Sequence, residues 1–418
     1  MRLTATGGTA NRFEGWLTLR IAMVVWEYPP HVVGGLGTYS GAMAPALRAA
    51  GHDVQVFAAL RDGDAPDPQP DTHWARQLDL SPTYLGVYNQ EASSWGAFFG
   101  ELYSTNILWA DAVRAEHGRR PFDVIAVHDW LGAPSGLTLA QHLDAPIVFH
   151  VHSAEWGRQP GGPSPIVSQW EAAAGRAAAA TITVSQAMVR DLIAHGWDAE
   201  RVHGVWNGVD TEKFAPDAPG GAELRARYGL ADDAPVVFFI GRLTGVKGTR
   251  PLIEGWPRVV EQHPEARLVA LGTGDQDDEI RGLVAGLGIE DSVTVRTEWV
   301  SEAERIAHFA AADLVVLPST YEPFGIVCLE AMACGKPVVV GARGVVGFRE
   351  QVMNEGPNQC GLHVNGADPV DIAWGLGEAL RDGKRMRRWG RNGRERAVSM
   401  FTWARCAART AEVYERVG

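Results

Sequence analysis

Short runs of consecutive apolar residues alternate along the chain with longer segments whose apolar positions have helical spacing. Such runs, without strict apolar–polar alternation, are typical of strands buried on both faces of a parallel sheet. We predict strands over Leu19–Trp26, Asp53–Ala58, Val124–His128, Ile147–Val151, Thr181–Val184, Val236–Ile240, Arg267–Leu271, Val293–Arg296, Leu314–Leu317 and Pro337–Val340. We predict helices over Tyr39–Ala50, Ser94–His117, Glu171–Ala180, Thr249–His263, Gln276–Leu287 and Ser301–Ala311. The repeated alternation predicts an α/β fold of two doubly wound, Rossmann-like domains.

Turn-forming residues mark the boundary between the two halves. Asn207-Gly208 is followed by a cluster of Pro and Gly at residues 214–221, after which a helix and a new first strand are predicted. We therefore divide the chain into a flexible extension at 1–19, a first domain at 20–207, a second domain at 208–396 and a final helical segment at 397–418.

Composition narrows the possible functions. The chain has 418 residues, of which 46% are hydrophobic, and its 38 basic and 50 acidic residues give a net charge of −12. This balance disfavours a nonspecific nucleic-acid binder. No run of 18 apolar residues and no signal-peptide core is present, so we expect no transmembrane segment. The four cysteines form no CxxC pair, and we expect reduced thiols and a cytoplasmic protein.

A glycine-rich segment follows the first strand, at Gly34-Gly35-Leu36-Gly37. Glycines before a helix let the backbone approach a ligand, and the helix N-terminus attracts anions. The spacing GxGxxxG departs from the dinucleotide fingerprint GxGxxG, which disfavours a nicotinamide oxidoreductase. Two interpretations stay open at this point: a phosphate-binding loop and a plain strand–helix turn.

Histidines and acids end two further strands of the first half. His128-Asp129 follows one strand, and His150 and His152 stand at positions i and i+2 of the next, on one side of that strand. A metal-binding pair and a contact with a polar substrate are both conceivable, but no third ligand has a recognised spacing. The acidic sequence Asp275–Glu279 lies at a predicted helix start, where the helix dipole alone favours acids. We predict no metal site.

The second half carries cations and carboxylates at its strand ends. Arg242 and Lys247 follow a buried strand among glycines, a pair suited to phosphate oxygens. Glu322 and Glu330 are eight positions apart, and carboxylates bind sugar hydroxyls. The segment between them, Phe324-Gly325-Ile326, offers backbone amides at a helix start.

Together these motifs resemble the retaining, nucleotide-sugar-dependent glycosyltransferases of the GT-B fold, in particular family 4 and the bacterial and archaeal glycogen synthases. The most specific part is Glu322-Pro-Phe-Gly-(x)4-Glu330, supported by Gly-Arg-Leu with a following Lys-Gly, Gly-Gly-Leu-Gly, His-Asp-Trp and Asn-Gly-Val-Asp. The resemblance covers the chain from about Leu19 to Val417, and it implies that the last helix crosses back onto the first domain.

The resemblance also implies roles for individual residues. Arg242 and Lys247 would neutralise the leaving diphosphate, Glu322 and His152 would bind the donor sugar, and Glu330 would bind the ribose. Donor contacts are further expected from the acceptor-side residue Asp129 and from backbone amides around Gly35, Leu36, Phe324, Gly325 and Ile326.

The implied reaction is transfer of a hexose, expected to be glucose, from a nucleotide diphosphate sugar with retention at the anomeric carbon. We expect ADP- or UDP-glucose as the donor, an α-glucan as the acceptor, and no metal or other cofactor. The sequence departs from glycogen synthases at Val32-Val33, where a Lys is common, and at Leu131, where many have a second His. A small sugar phosphate or a lipid-linked acceptor therefore stays open, and a nucleotide-sugar 2-epimerase is the alternative class.

Overall fold

The computed structural model describes residues 18–60, 70–76, 93–159, 161–231 and 233–418, with side chains of the helix that starts at residue 93 described from residue 98. The predicted extension at 1–19 therefore lies outside the described residues, apart from its last two.

The first domain is built on a seven-stranded parallel sheet with the strand order β3-β2-β1-β4-β5-β6-β7. Its strands are β1 (Arg20–Val25), β2 (Asp53–Leu60), β3 (Thr72–Arg76), β4 (Val124–His128), β5 (Ile147–Val151), β6 (Ala180–Thr183) and β7 (Val202–Gly204). Its helices are α1 (Gly35–Ala49), α2 (Ser93–Arg119), α3 (Asp129–His142), α4 (Glu155–Arg158), α5 (Pro165–Ala177) and α6 (Gln186–Ala194). The central strands are buried along their whole length, as expected when helices cover both faces of a sheet.

The second domain has a six-stranded parallel sheet with the order β10-β9-β8-β11-β12-β13. The strands are β8 (Val236–Ile240), β9 (Arg267–Leu271), β10 (Val293–Arg296), β11 (Leu314–Leu317), β12 (Val338–Gly341) and β13 (Gly361–Val364). The helices are α7 (Gly221–Arg227), α8 (Thr249–Gln262), α9 (Asp277–Leu287), α10 (Glu302–Ala311), α11 (Ile326–Ala333), α12 (Phe348–Gln351), α13 (Pro369–Leu380) and α14 (Gly383–Met400), with a short 3-10 turn at Gly245–Lys247.

The final helix, α15 (Trp403–Val417), packs against α1 of the first domain. Thr402 caps its N-terminus, and Tyr414 reaches the end of β5, where its hydroxyl lies 2.8 Å from Nε2 of His150. The predicted division between residues 396 and 397 falls inside α14, which continues to Met400 and still buries Ala397 completely. The segment that returns to the first domain therefore starts after α14.

The prediction of two Rossmann-like α/β domains is confirmed. The strands that the apolar pattern missed are β3, β7 and β13, and all three lie at sheet edges. Edge strands need less apolar sequence because one side has no neighbouring strand. Each of these three strands is only three to five residues long and includes a histidine, which hides it from a search for apolar runs. None of the helices in the described part of the chain is long and apolar enough to cross a bilayer.

Candidate active site

Both sheets have a topological switch point, where the strand order reverses, between β1 and β4 and between β8 and β11. Ligands of doubly wound folds bind at such points, outside the carboxyl ends of the strands. The two ends face each other here, because the backbone N–H of Ala154, after β5, donates to the hydroxyl of Tyr321, after β11, at 2.9 Å. Ser185 Oγ donates to the carbonyl of Pro323 at 2.6 Å across the same cleft. The predicted site residues are therefore brought together from both domains.

Three histidines form a cluster at the ends of β4 and β5. Nδ1 of His128 lies 3.1 Å from Nε2 of His152, and His150 pairs with His128 in the strand register. Burial lowers the pKa of His152 to about 4, with Glu27 acting in the opposite direction, and it lowers the pKa values of His128 and His150 well below the usual range. All three imidazoles are therefore neutral near pH 7.

A metal site would need a third ligand besides His150 and His152, and His128 is close enough to be one. One nitrogen of each of the three histidines lies within 4.8 Å of the others. The ring orientation does not suit a metal ion. The rings of His128 and His150 are tilted against each other by 31°, with their centroids 4.2 Å apart. Because an imidazole binds a metal in its own plane, two rings this close together and only 31° from parallel do not direct their lone pairs to one point. The prediction of no metal thus stays a prediction that ring orientation supports.

Asp129 holds the backbone of His152. Its Oδ1 accepts the N–H of His152 at 2.7 Å, and its own backbone has a φ of +55°, which is uncommon for a residue with a side chain. Burial raises the pKa of Asp129 to about 6, although Arg158 and the backbone N–H donors of His152 and Ser153 lower it. The structure thus places this carboxylate on the peptide of His152.

Lys247 and Glu322 form an ion pair at the carboxyl ends of β8 and β11. The side chains are 18% and 13% exposed, so the pair is partly shielded but open to the cleft. Arg242 is exposed, and its guanidinium has no hydrogen-bond or ion-pair partner among the described residues. The structure therefore leaves one cation of the predicted pair available to an anion and neutralises the other with Glu322.

The predicted amide segment begins helix α11. Gly325 is its N-cap with a φ of +81°, and a Cβ there would lie 2.2 Å from the ring of Phe348, so both conformation and space require glycine. Phe324 is buried and its carbonyl accepts a hydrogen bond from Gln351 Nε2 at 2.8 Å. The N–H groups of Ile326 and Val327, the first two of the helix, have no backbone partner among the described residues, as is usual at a helix start.

Glu330 lies in the next turn of α11 and is only 2% exposed. Arg305 binds both of its oxygens, at 3.0 and 3.1 Å. Burial raises the pKa of Glu330, and Arg305 opposes that shift. Glu330 is thus paired with Arg305, a partner that its sequence motif does not indicate because Arg305 lies on a different helix, α10.

Comparison with known proteins identifies the family. Residues 33–213 match the family model described as glycosyltransferase family 4, and residues 222–396 match the model described as glycosyl transferases group 1. A glycogen synthase from Mycobacterium tuberculosis is 32% identical over 95% of this chain and 94% of its own length. The chain is a family 4 glycosyltransferase.

Other matches agree with this assignment. An α-maltose-1-phosphate synthase from Mycolicibacterium smegmatis is 32% identical to the transferase over 96% of this chain and 100% of its own length. A solved structure of sucrose-phosphate synthase from Thermosynechococcus elongatus has a TM-score of 0.76 at 25% identity, over 95% of this chain and 98% of that one. HepE from Anabaena, in complex with UDP-glucose, has a TM-score of 0.72 at 22% identity, over 95% and 100%. The resemblance and the GT-B fold predicted from the motifs are thereby confirmed.

The glycine loop of the transferase already holds an anion from its own chain. Oε2 of Glu27 accepts the N–H groups of Val33 and Gly34 at 2.9 Å each and that of Gly37 at 3.2 Å. A Cβ at Gly37 would lie 2.9 Å from the same oxygen, so glycine is needed for the loop to close round the carboxylate. The amides predicted to bind a ligand were those around Gly35 and Leu36, and the role of Glu27 at the neighbouring amides was not predicted.

Helix α1 starts earlier than predicted, at Gly35 instead of Tyr39, so Gly35 and Leu36 lie in its first turn. Neither amide has a hydrogen-bond partner among the described residues, and the two residues are exposed and half-buried, respectively. They are therefore the N–H groups of this loop that remain for a ligand.

Arg158 organises the segment that follows His152. It donates to the carbonyl of Ser153 at 2.6 Å and pairs with Glu155 at 3.0 Å and Glu171 at 2.7 Å. Burial raises the pKa of Glu171 to about 7, although Arg158 lowers it. Nothing in the spacing of these residues along the chain indicates that α4 and α5 meet, so this buried network could not be predicted from the sequence.

Glu350 joins the two domains of the transferase from α12. Its carboxylate accepts the N–H groups of Gln186 at 3.0 Å and Ala187 at 2.7 Å, which begin α6, and Nε1 of Trp206 at 2.7 Å. A carboxylate at a helix N-terminus is stabilising. A residue of the second domain thus caps a helix of the first.

Proposed function

We propose that this glycosyltransferase moves a hexose from a nucleotide diphosphate sugar to a carbohydrate acceptor with retention at the anomeric carbon. The observation that carries the proposal is the ion pair of Lys247 with Glu322, which lies across the cleft from the histidine cluster of the first domain. Arg242, five positions before Lys247, has a guanidinium with no partner in the described part of the chain. Cations bind a diphosphate well and a carboxylate binds sugar hydroxyls. Arg242 and Lys247 therefore fit the diphosphate of the donor, and Glu322 fits its sugar.

Arg242, Lys247 and the N-terminus of α11 would bind the diphosphate and stabilise its charge as it leaves. Glu322 would bind hydroxyls of the sugar while keeping Lys247 in place. Glu330, with Arg305, would bind the ribose. HepE from Anabaena, a structural neighbour, binds UDP-glucose, which supports a nucleotide sugar as donor.

Retention without a covalent intermediate is supported by the carboxylates near His152. A nucleophilic carboxylate has to be free to attack the anomeric carbon. Glu27 is held by three backbone amides, and Asp129 is held by the backbone of His152. We propose instead that the acceptor attacks on the face that the leaving phosphate vacates, and that this phosphate takes the acceptor's proton.

For the acceptor we propose an α-glucan, with glucose as the transferred sugar, because a relative of nearly the same length is a glycogen synthase. A sugar phosphate is the second candidate, favoured by a relative of equal similarity that is an α-maltose-1-phosphate synthase. A cytoplasmic location belongs to the same proposal and is supported by four cysteines that are all buried and free.

The test is a matrix of ADP-, UDP- and GDP-sugars against glucans, sugar phosphates and lipid extracts, with release of the nucleoside diphosphate as the readout. We expect release with ADP- or UDP-glucose and a glucan, an α-linkage in the product by NMR, and no effect of a chelator. An inverted linkage, or a requirement for divalent metal, would contradict the proposal. Glu322→Gln serves as the inactive control.

A further inference from the structure

The dipeptide His128-Asp129 holds His152 at two points. The ring of His128 lies 3.1 Å from the ring of His152, nitrogen to nitrogen, while the carboxylate of Asp129 accepts the backbone N–H of His152 at 2.7 Å. Asp129 has a φ of +55°, and such strain persists where the surroundings demand it, most often at functional sites. The orientation of His152 is therefore determined by two neighbouring residues that follow β4.

The hydrogen-bond inventory of His128 indicates where its proton lies. Its Nδ1 faces His152, whereas its Nε2 is buried and has no partner among the described residues. A neutral imidazole has one N–H and one bare nitrogen. A buried N–H without a partner is rarer in proteins than a buried acceptor without one. The proton of His128 therefore belongs on Nδ1, from which it is donated to Nε2 of His152.

The tautomer of His152 follows from that donation. If Nε2 of His152 accepts, its own proton lies on Nδ1. No described residue binds this Nδ1, and the side chain of His152 retains partial exposure at the cleft, unlike His128 and His150, which are 1% exposed each. The free N–H of His152 thus points to where a ligand is accessible.

We propose that His128 is a positioning residue that fixes His152 in the Nδ1–H tautomer, so that His152 presents a hydrogen-bond donor to a hydroxyl of the bound sugar. The identity of the ligand rests on the proposed function, whereas the tautomer does not. His150 does not take part in the hydrogen bond between His128 and His152, because its Nε2 is bound to the hydroxyl of Tyr414.

The direct test is ¹⁵N NMR of the full chain labelled at histidine, without substrate. The nitrogen shifts distinguish the two neutral tautomers and the cation. The signals of His152 are assigned by their loss in His152→Gln. We expect the wild-type protein to show His152 as Nδ1–H near pH 7. Detection of Nε2–H or of the cation at His152 would overturn the proposal.

Two substitutions of His128 separate positioning from packing. His128→Asn keeps an N–H donor near the position of Nδ1, and we expect it to preserve the Nδ1–H tautomer. His128→Asp offers only acceptors when ionised, and we expect His152 to change to Nε2–H. Should that variant not fold, His128→Leu removes the donor with an apolar group, and His152 is expected to take Nε2–H, the form that imidazole prefers in water. An unchanged tautomer in the folded Asp or Leu variant would contradict the proposal.

The kinetic consequence is measured once a donor and an acceptor are known. Loss of one neutral hydrogen bond to substrate predicts that kcat/KM falls about tenfold in the Asp or Leu variant, with recovery to within about threefold in His128→Asn. If His128 had only a structural role, kcat/KM would fall in every variant, and the fall would follow the drop in melting temperature. If the NMR result holds and no donor is turned over, the proposed function fails and the tautomer assignment stands.

Discussion

Tyr321 and Ala154 are 167 positions apart, yet the hydroxyl of Tyr321 accepts the backbone N–H of Ala154 at 2.9 Å. This contact joins the loop before Glu322 to the loop after His152. It thus sets how the donor-binding loop of the second domain faces the histidine cluster of the first.

Gly157 leaves the space in which Tyr321 packs. A Cβ at this position would lie 1.9 Å from the Tyr321 ring, so Gly157→Ala has to displace the ring and the loop that carries it. We expect kcat/KM to fall about 10-fold or more, because small misplacements in a site are costly. Gly162→Ala, where a Cβ meets nothing within 4 Å, is the control. Equal activity of the two variants would show that Tyr321 does not set the cleft geometry.

Lys247→Ala removes the cation that pairs with Glu322 and contacts the proposed diphosphate. We expect kcat to fall about 100-fold, the size of effect seen when one group that stabilises developing charge is removed. The exposed Arg250, which pairs with Glu254 and Glu279 on the surface, provides the control. Arg250→Ala should retain activity within about twofold, since surface pairs contribute little. Nucleoside diphosphate release measures both, and a loss within threefold for Lys247→Ala would refute its role.

Arg305 neutralises Glu330, which is buried. Arg305→Met leaves that carboxylate unpaired, and we expect the free energy of unfolding to fall by about 3–5 kcal/mol. The double variant Arg305→Met with Glu330→Gln should recover much of this loss, because no buried charge remains. Chemical denaturation measures both. Additive effects in the double variant would mean that the pair is not coupled.

The titration of Asp129 is expected to make the stability of the fold depend on pH. Burial raises its pKa from 3.8 to about 6, so the folded state favours the protonated acid. The stabilisation of the folded state by protonated Asp129 is complete below pH 3.8 and is lost as the pH rises through about 6. The free energy of unfolding falls by about 3 kcal/mol at most over this range. Asp129→Asn avoids this cost, keeps an acceptor for the N–H of His152 and tolerates a positive φ.

We therefore expect the melting temperature of Asp129→Asn, relative to wild type, to rise between pH 4 and pH 7. Thermal unfolding across this range measures the difference. Asp144→Asn, at an exposed position, is the control and should leave the shape of the curve unchanged. A difference between Asp129→Asn and wild type that does not change with pH would contradict the assigned titration.

Glu350→Ala would leave the donors of Gln186, Ala187 and Trp206 without their shared carboxylate. Because the carboxylate belongs to the second domain, its loss weakens the coupling between the domains. We expect a loss of about 3 kcal/mol and two separate calorimetric transitions in place of one. Glu355→Ala, at an exposed position, should melt like wild type.

The sequence by itself determined the fold class, the family and most of the residues at the cleft. Buried parallel strands read as continuous apolar runs, so β4, β5, β8 and β9 were predicted with their observed bounds. Residues at strand ends in a doubly wound fold must meet at the same edge, which is why His152, Lys247 and Glu322 could be nominated from spacing and motif alone.

Only the tertiary structure decided how those residues are held. Glu27 binds amides of the glycine-rich loop beside those assigned to a ligand, Arg305 neutralises Glu330, and His128 contacts His152. These partners come from different strands and helices, and apolar periodicity carries no information on which polar side chains meet. Their pairing follows from how the elements pack, because a buried polar group accepts whichever partner the packing brings within reach.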